Sequence, residues 1–167
     1  GCGDSLVGQE LRRKKCHLES IDAEDPKEVE NIKYFTKMNL NIPNPPIDVE
    51  RFDYILLLDV LEHLTLDESL AVLKKCYTAL SEDGIFIIQV PNALSPLSPL
   101  WHGDITHLRA FSPDSMSQLL RMTHWSCFKH YSLGPIPRNF KSTIRWLLWN
   151  GVLSPMIKLF MIVANSE

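Results

Sequence analysis

Two groups of residues in this 167-residue sequence are of types that do chemistry. The first is the opening Gly1-Cys2-Gly3-Asp4-Ser5, followed at a distance by Asp22. Glycines let backbone approach a ligand closely, and a helix starting just after them offers free N–H groups to the ligand's polar part. A carboxylate about 20 residues on, at the end of the next strand, stands where it meets a ribose hydroxyl pair. The competing reading is a tight turn with a helix-capping Asp. A dinucleotide fingerprint is not completed, because Leu6 occupies the place of the third glycine in Gly-x-Gly-x-x-Gly, which argues against a nicotinamide oxidoreductase.

The second group is Asp59-x-x-Glu62-His63. If a helical turn begins directly after a strand, the i, i+3 and i+4 offsets put all three side chains on one face. Mixed oxygen and nitrogen donors suit Mg²⁺, Mn²⁺ or Zn²⁺, and such an ion lowers the pKa of a bound substrate hydroxyl. Without an ion, His63 or the later His107 is of the residue type that serves as a general base. The bland alternative is a polar helix start with Glu62 and His63 bonded to nearby backbone.

These residues need a scaffold, and the apolar pattern supplies one. Tyr54 to Leu58 and Ile85 to Val90 read as strands buried on both faces, as a parallel sheet between helices requires. Between them Thr65 and Glu68 form a capping box, and Leu66, Leu70, Leu73, Tyr77 and Leu80 recur at helical spacing until Asp83-Gly84. That is a βαβ unit. Upstream, Leu6, Val7 and Leu11 predict a helix whose basic end is Arg12 to Lys15, and Cys16 to Ile21 a strand closed by Asp22. Downstream, Ser112-Pro113 opens a helix carrying Met116, Leu119 and Leu120, and Cys127 to Leu133 reads as a further strand. Repeated alternation of this kind predicts an α/β, doubly wound, mostly parallel sheet with helices on both faces.

Composition fits one ordinary globular domain spanning residues 1–167, with 45% hydrophobic and 22% charged residues. A net charge of -3 gives no electrostatic ground for a nucleic-acid partner. Cys2, Cys16, Cys76 and Cys127 contain no Cys-x-x-Cys pair, so neither a zinc ribbon nor a disulfide framework is indicated, and a reducing cytoplasm is expected. The most apolar stretch, Ile144 to Ala164, is interrupted by Arg145, Asn150, Pro155 and Lys158, which are costly in a spanning helix. Residues 134–167 are read instead as a helical cover, with contact to a membrane surface as the alternative. No oligomeric state is read from the residues.

Taken in order, Gly1-Cys2-Gly3, Asp22, Phe52 to Ile55 leading into Asp59-Val60-Leu61-Glu62-His63-Leu64, Leu80 to Gly84 and Val90-Pro91-Asn92 resemble the successive motifs of class I S-adenosylmethionine-dependent methyltransferases. The resemblance implies S-adenosylmethionine as cofactor, bound by Gly1, Cys2, Gly3, Asp22, Asn39 and Asp59. Gly1 and Gly3 would flank its methionine part, Asp22 its ribose and Asn39 its adenine. Ser5 stands where the family has a further glycine. Asp59-x-x-Glu62-His63 with His107 is similar to the metal site of small-RNA 2′-O-methyltransferases and to the matching region of ubiquinone-pathway O-methyltransferases. It implies Asp59, Glu62, His63 and His107 as ligands of a divalent ion. The loop Trp101 to Phe111 resembles that of surface-glycan methyltransferases.

The expected activity is methyl transfer to a hydroxyl of a small-molecule or glycan acceptor, with His63 and His107 as catalytic residues. Such an in-line displacement is promoted chiefly by positioning and by deprotonating the acceptor. Two rivals are weighed: a nucleoside-binding or interaction module without turnover, and an oxidoreductase on the same architecture. Since the family carries a strand before the glycine loop and another after the C-terminal helical region, the first and last strands are expected to be missing.

Overall fold

A computed structural model describes residues 6–22, 35–38, 40, 51–94, 104–131 and 137–164. The chain divides into two compact units, Gly1–Phe128 and Lys129–Glu167.

In the first unit, α1 (Leu6–Arg13) is followed by β1 (Ser20–Asp22), β2 (Phe35–Lys37) and β3 (Phe52–Leu58). Then come α2 (Leu66–Ala79), β4 (Leu80–Gln89) and α3 (Pro113–Arg121). The expected alternation is present, and both described strand pairs, β1 with β2 and β3 with β4, are parallel. Parallel pairing brings carboxyl ends together, so Asp22 ends beside Lys37 and Leu58 beside Gln89. Helix α1 ends as its sequence suggests, on a basic turn. Lys15 adopts a left-handed φ of 61° and Cys16 N–H donates to Leu11 O at 3.2 Å, closing the last turn.

The βαβ unit β3-α2-β4 holds the core. Thr65 and Glu68 make the capping box foreseen for α2. One stripe of α2, with Val72, Leu73, Cys76 and Ala79 at 0–4% exposure, packs on the sheet side that carries Leu57, Ile55, Phe86 and Ile88. Fully burying a residue such as Leu73 contributes about 1.5–3 kcal/mol. Desolvation pushes the Cys76 thiol up to about 12, so this cysteine acts as an apolar filler. Helix α3, capped by Ser112 with Pro113 in its first turn, adds Met116, Leu119 and Leu120 to the same cluster. Trp125 locks on beneath, its ring centroid 4.8 Å from that of Phe86 and its indole N–H donating to Leu73 O at 3.4 Å.

Three expectations are corrected. Helix α2 ends at Ala79 instead of running to Asp83-Gly84, because Leu80 turns extended to pair with Phe52 and Arg51 N–H takes up Ala79 O at 2.9 Å. Gly84 therefore serves a register shift in β4: a Cβ there would lie 2.5 Å from Leu80 Cγ and 2.9 Å from Ser81 O. The β3–β4 pair is not buried on both faces, since Tyr54, Ile85 and Ile87 stay 45–64% exposed while their alternating neighbours meet α2. Residues 127–131 form no strand; among the described residues they pair with no ladder, and Phe128 instead packs on the core beneath the Arg121 guanidinium, 5.7 Å from its ring.

The second unit contains α4 (Phe140–Leu148), a π-helical turn Trp149–Leu153 and α5 (Ser154–Ala164). Asn139 caps α4 through its side chain to Ser142 N–H at 2.9 Å. No helix among the described residues is long and apolar enough to cross a membrane.

Candidate functional site

The site is assembled just past the carboxyl end of β3. Asp59 leaves the strand in the left-handed region, φ 50°, a conformation Asp tolerates better than most residues. Its N–H donates to Gln89 O at 2.9 Å, and Gln89 Nε2 donates to Asp59 Oδ2 at 2.8 Å. The ends of β3 and β4 are thereby tied together. The chain then tightens into a 3₁₀ turn, Leu61–His63, with His63 N–H to Val60 O at 3.1 Å and Leu64 N–H to Leu61 O at 3.2 Å. Buried Val60, Leu61 and Leu64 anchor that turn in the core.

A second segment closes over it. Leu108 N–H and Arg109 N–H donate to Glu62 O at 2.7 and 3.4 Å, and Ala93 N–H donates to Phe111 O at 2.8 Å beside the parallel bridge from Asn92 to Phe111. Residues 108–111 are thus pinned between Glu62 and the segment just past β4. These bonds bring His107 against His63, with ring centroids 4.7 Å apart and planes at 71°. Donor atoms of Glu62, His63 and His107 lie within 4.8 Å of one another.

Glu62 is the unusual member. It is 1% exposed, and among the described residues no side-chain or backbone partner bonds either carboxylate oxygen. Desolvation raises its pKa above the ordinary carboxylate value; its own backbone N–H offsets this in part, nearby Asp59 adds to it, and the two histidines pull the other way. A buried carboxylate beside two imidazoles is a donor set that could hold a divalent cation.

Asp104 and Thr106 flank the histidines. Thr106 N–H and Thr106 Oγ1 both donate to Asp104 Oδ1, at 2.8 and 2.6 Å, and Thr106 Oγ1 lies 2.9 Å from His63 Nδ1. The Thr106 hydroxyl, followed by its N–H, holds the Asp104 carboxyl below the usual range. Asp104 Oδ2 also lies 3.8 Å from His107 Nε2.

Of the residues singled out in the sequence, Glu62, His63 and His107 come together. Asp59 does not join them: its carboxylate is engaged by Gln89, because a 3₁₀ turn beginning at Leu61, instead of a helix starting at the strand end, takes it off the shared face. Asp22 sits half-buried at the end of β1, where its carbonyl accepts from Met38 N–H at 2.7 Å. This places the residue expected to meet ribose next to the end of β2, where open α/β sheets bind ligands. Gly1, Cys2, Gly3 and Asn39 lie outside the described residues. Asp104 and Thr106 were not singled out as site residues, although Asp-x-Thr is the spelling of a side-chain-to-backbone turn.

A family profile described as a methyltransferase domain matches residues 1–149. The chain belongs to this methyltransferase family. The crystal structure of a SAM-dependent methyltransferase from Archaeoglobus fulgidus superposes with a TM-score of 0.66 at 15% identity, covering 90% of this chain and 76% of that one. At that identity the likeness shows the fold: the Rossmann-like α/β arrangement of class I methyltransferases. No curated protein matches the chain. The family reading made from the ordered motifs holds, and with it S-adenosylmethionine as the methyl donor.

Proposed function

We propose that this methyltransferase moves the methyl group of S-adenosylmethionine to a hydroxyl oxygen of a small-molecule or glycan acceptor held at Glu62, His63 and His107. The observation that carries the reading is the buried Glu62 carboxylate, without a hydrogen-bond partner among the described residues and packed against two imidazoles. An acceptor hydroxyl is a weak nucleophile until its proton is removed, and this cluster stands at the strand ends, where the fold delivers its ligands. The acceptor oxygen attacks the sulfonium methyl carbon in line, the carbon–sulfur bond breaks, and S-adenosylhomocysteine leaves with the bonding pair.

Glu62, His63 and His107 would hold a divalent ion through one oxygen and two nitrogens, and a bound ion supplies acidification of the acceptor hydroxyl. The protein's own contribution is placement. The bonds from Leu108 and Arg109 to Glu62 O keep the two histidines facing one another, and the buried Leu61 and Phe111 keep the base of the cluster dry. The second reading, His63 as a metal-free general base, is favoured by its contact with Thr106.

The test is methyl transfer from labelled S-adenosylmethionine to a panel of hydroxyl and amine acceptors, with and without a chelator. Hydroxyl methylation abolished by the chelator and by Glu62→Ala supports the first reading. Full activity in chelator that His63→Ala removes supports the second. Cofactor binding with no transfer to any acceptor would return the chain to the inactive-module reading.

As a partner for the second unit we propose an anionic membrane surface. Residues 137–164 carry Arg138, Lys141, Arg145 and Lys158 and no Asp or Glu, while Met156, Leu159 and Phe160 are 62–69% exposed. A cytoplasmic location fits the free Cys16, Cys76 and Cys127.

A further inference from the structure

We infer that Thr106 and Asp104 are positioning residues that fix the tautomer of His63, presenting Nε2 as the nitrogen with the available lone pair. The inference rests on the reading of His63 as part of the reacting site, and its geometry is independent of which acceptor is used.

A threonine hydroxyl has one proton to give and two lone pairs to receive with. Thr106 Oγ1 has two side-chain neighbours, Asp104 Oδ1 at 2.6 Å and His63 Nδ1 at 2.9 Å. An ionised carboxylate only accepts, so the single proton must point at Asp104. The oxygen then faces His63 with a lone pair, and a contact of 2.9 Å is favourable only if Nδ1 carries the hydrogen. The reverse assignment, Thr106 donating to Nδ1, would leave two acceptors 2.6 Å apart with no proton between them. Asp104 is itself held in place, because its Oδ1 also accepts Thr106 N–H at 2.8 Å.

In neutral His63 the second ring nitrogen, Nε2, is therefore unprotonated. A general base and a metal ligand both need this: one ring nitrogen fixed by a hydrogen bond, the other left to react. Without the relay the ring is free to carry its proton on Nε2, and molecules in that state neither accept the acceptor's proton nor bind an ion through that atom.

The test is a long-range proton–nitrogen correlation spectrum of the full chain with ¹⁵N-labelled histidine at alkaline pH, His63 being assigned by its loss in His63→Ala. The expected wild-type pattern has a protonated Nδ1 and a bare Nε2. Thr106→Val, at an exposed position, should give a mixture of the two tautomers, and Thr106→Ser should restore the single form. Asp104→Asn, whose amide can donate to Thr106, should also yield a mixture. In turnover, Thr106→Val is expected to lower kcat roughly tenfold with KM for S-adenosylmethionine unchanged, the size of one lost hydrogen bond. Thr106→Ser should recover that loss.

A wild-type His63 protonated on Nε2, or a tautomer indifferent to Thr106→Val, overturns the inference even if His63→Ala abolishes activity. Tautomer patterns as expected in a chain that methylates nothing would sustain the positioning role and sink the proposed function alone.

Discussion

Glu62→Met in the metal-free protein is expected to raise stability, against the usual direction of a substitution at a buried position. Glu62 is 1% exposed and among the described residues both carboxylate oxygens lack partners, so the folded state bears a desolvation cost that its own backbone N–H and the two histidines offset only in part. An unmet buried polar group costs about 1–3 kcal/mol. Methionine has similar length, no branch and no polar demand, so it fits the same slot, and the bonds to the Glu62 carbonyl from Leu108 and Arg109 use only backbone. For a chain of this size each kcal/mol moves Tm by roughly 2–4 °C, so the gain should be about 2–12 °C by thermal melting in a chelator. Adding Mg²⁺, Mn²⁺ or Zn²⁺ should then reverse the order. An ion at a hundred times its Kd stabilises the wild type by about 2.7 kcal/mol, and the Met variant should gain nothing. A Met variant that melts below wild type in chelator would refute the reasoning, since it would mean the carboxylate already has its partners in the folded chain.

Asp22→Ala should weaken S-adenosylmethionine binding by about 1.5–3 kcal/mol in calorimetry, the range for hydrogen bonds to a charged group; unchanged affinity would remove Asp22 from the ribose site. Gly84→Ala should lower stability by roughly 1–3 kcal/mol in denaturant melts, because the added methyl meets Ser81 O at 2.9 Å and Leu80 Cγ at 2.5 Å; a neutral result would mean the register shift in β4 relaxes freely. Glu68 should make stability pH-dependent. Bonds from Thr65 N–H and its hydroxyl, both 2.7 Å, depress the folded-state pKa, so the stabilisation is complete above the ordinary value of 4.5 and is lost as pH falls through the lower folded value. Relative to Glu68→Gln, the wild type should lead at neutral pH and lose that lead in acid; a constant gap between the two across this range would contradict the assignment.

What could be read from the residues divides by the range of the interactions involved. The helices announced themselves through local chemistry: Thr65 and Glu68 cap α2 through side chains that bond the first turn, and Ser112 caps α3 by accepting from Ser115 N–H with Pro113 starting the helix behind it. Strand pairing followed from apolar runs, but the length of α2 did not. Whether the chain leaves a helix at Ala79 or at Gly84 is decided by Phe52, 28 residues before Leu80, which offers a strand edge that local propensity does not encode. Residues 127–131, the described part of the expected strand, failed to form one for the same reason, since β-propensity without a partner edge is only a disposition.

The site shows the same division more sharply. Glu62 and His63 are adjacent, and their grouping as candidate ligands or bases was legible from type and spacing alone. His107 was placed by resemblance; its juxtaposition with His63 depends on Leu108 N–H reaching Glu62 O at 2.7 Å, a bond between backbone groups that no residue type signals. Asp59 shows the reverse, a well-typed residue removed from the group by the pitch of a 3₁₀ turn and the pull of Gln89. Asp104 and Thr106 fell between these cases. Their mutual bonds are local and readable, yet local bonding explains only how the loop turns at Ile105. It is the arrival of His63 Nδ1 at 2.9 Å, from 43 residues away, that converts a turn-forming threonine into a device with one proton and two claimants, and so gives the imidazole a defined reacting nitrogen.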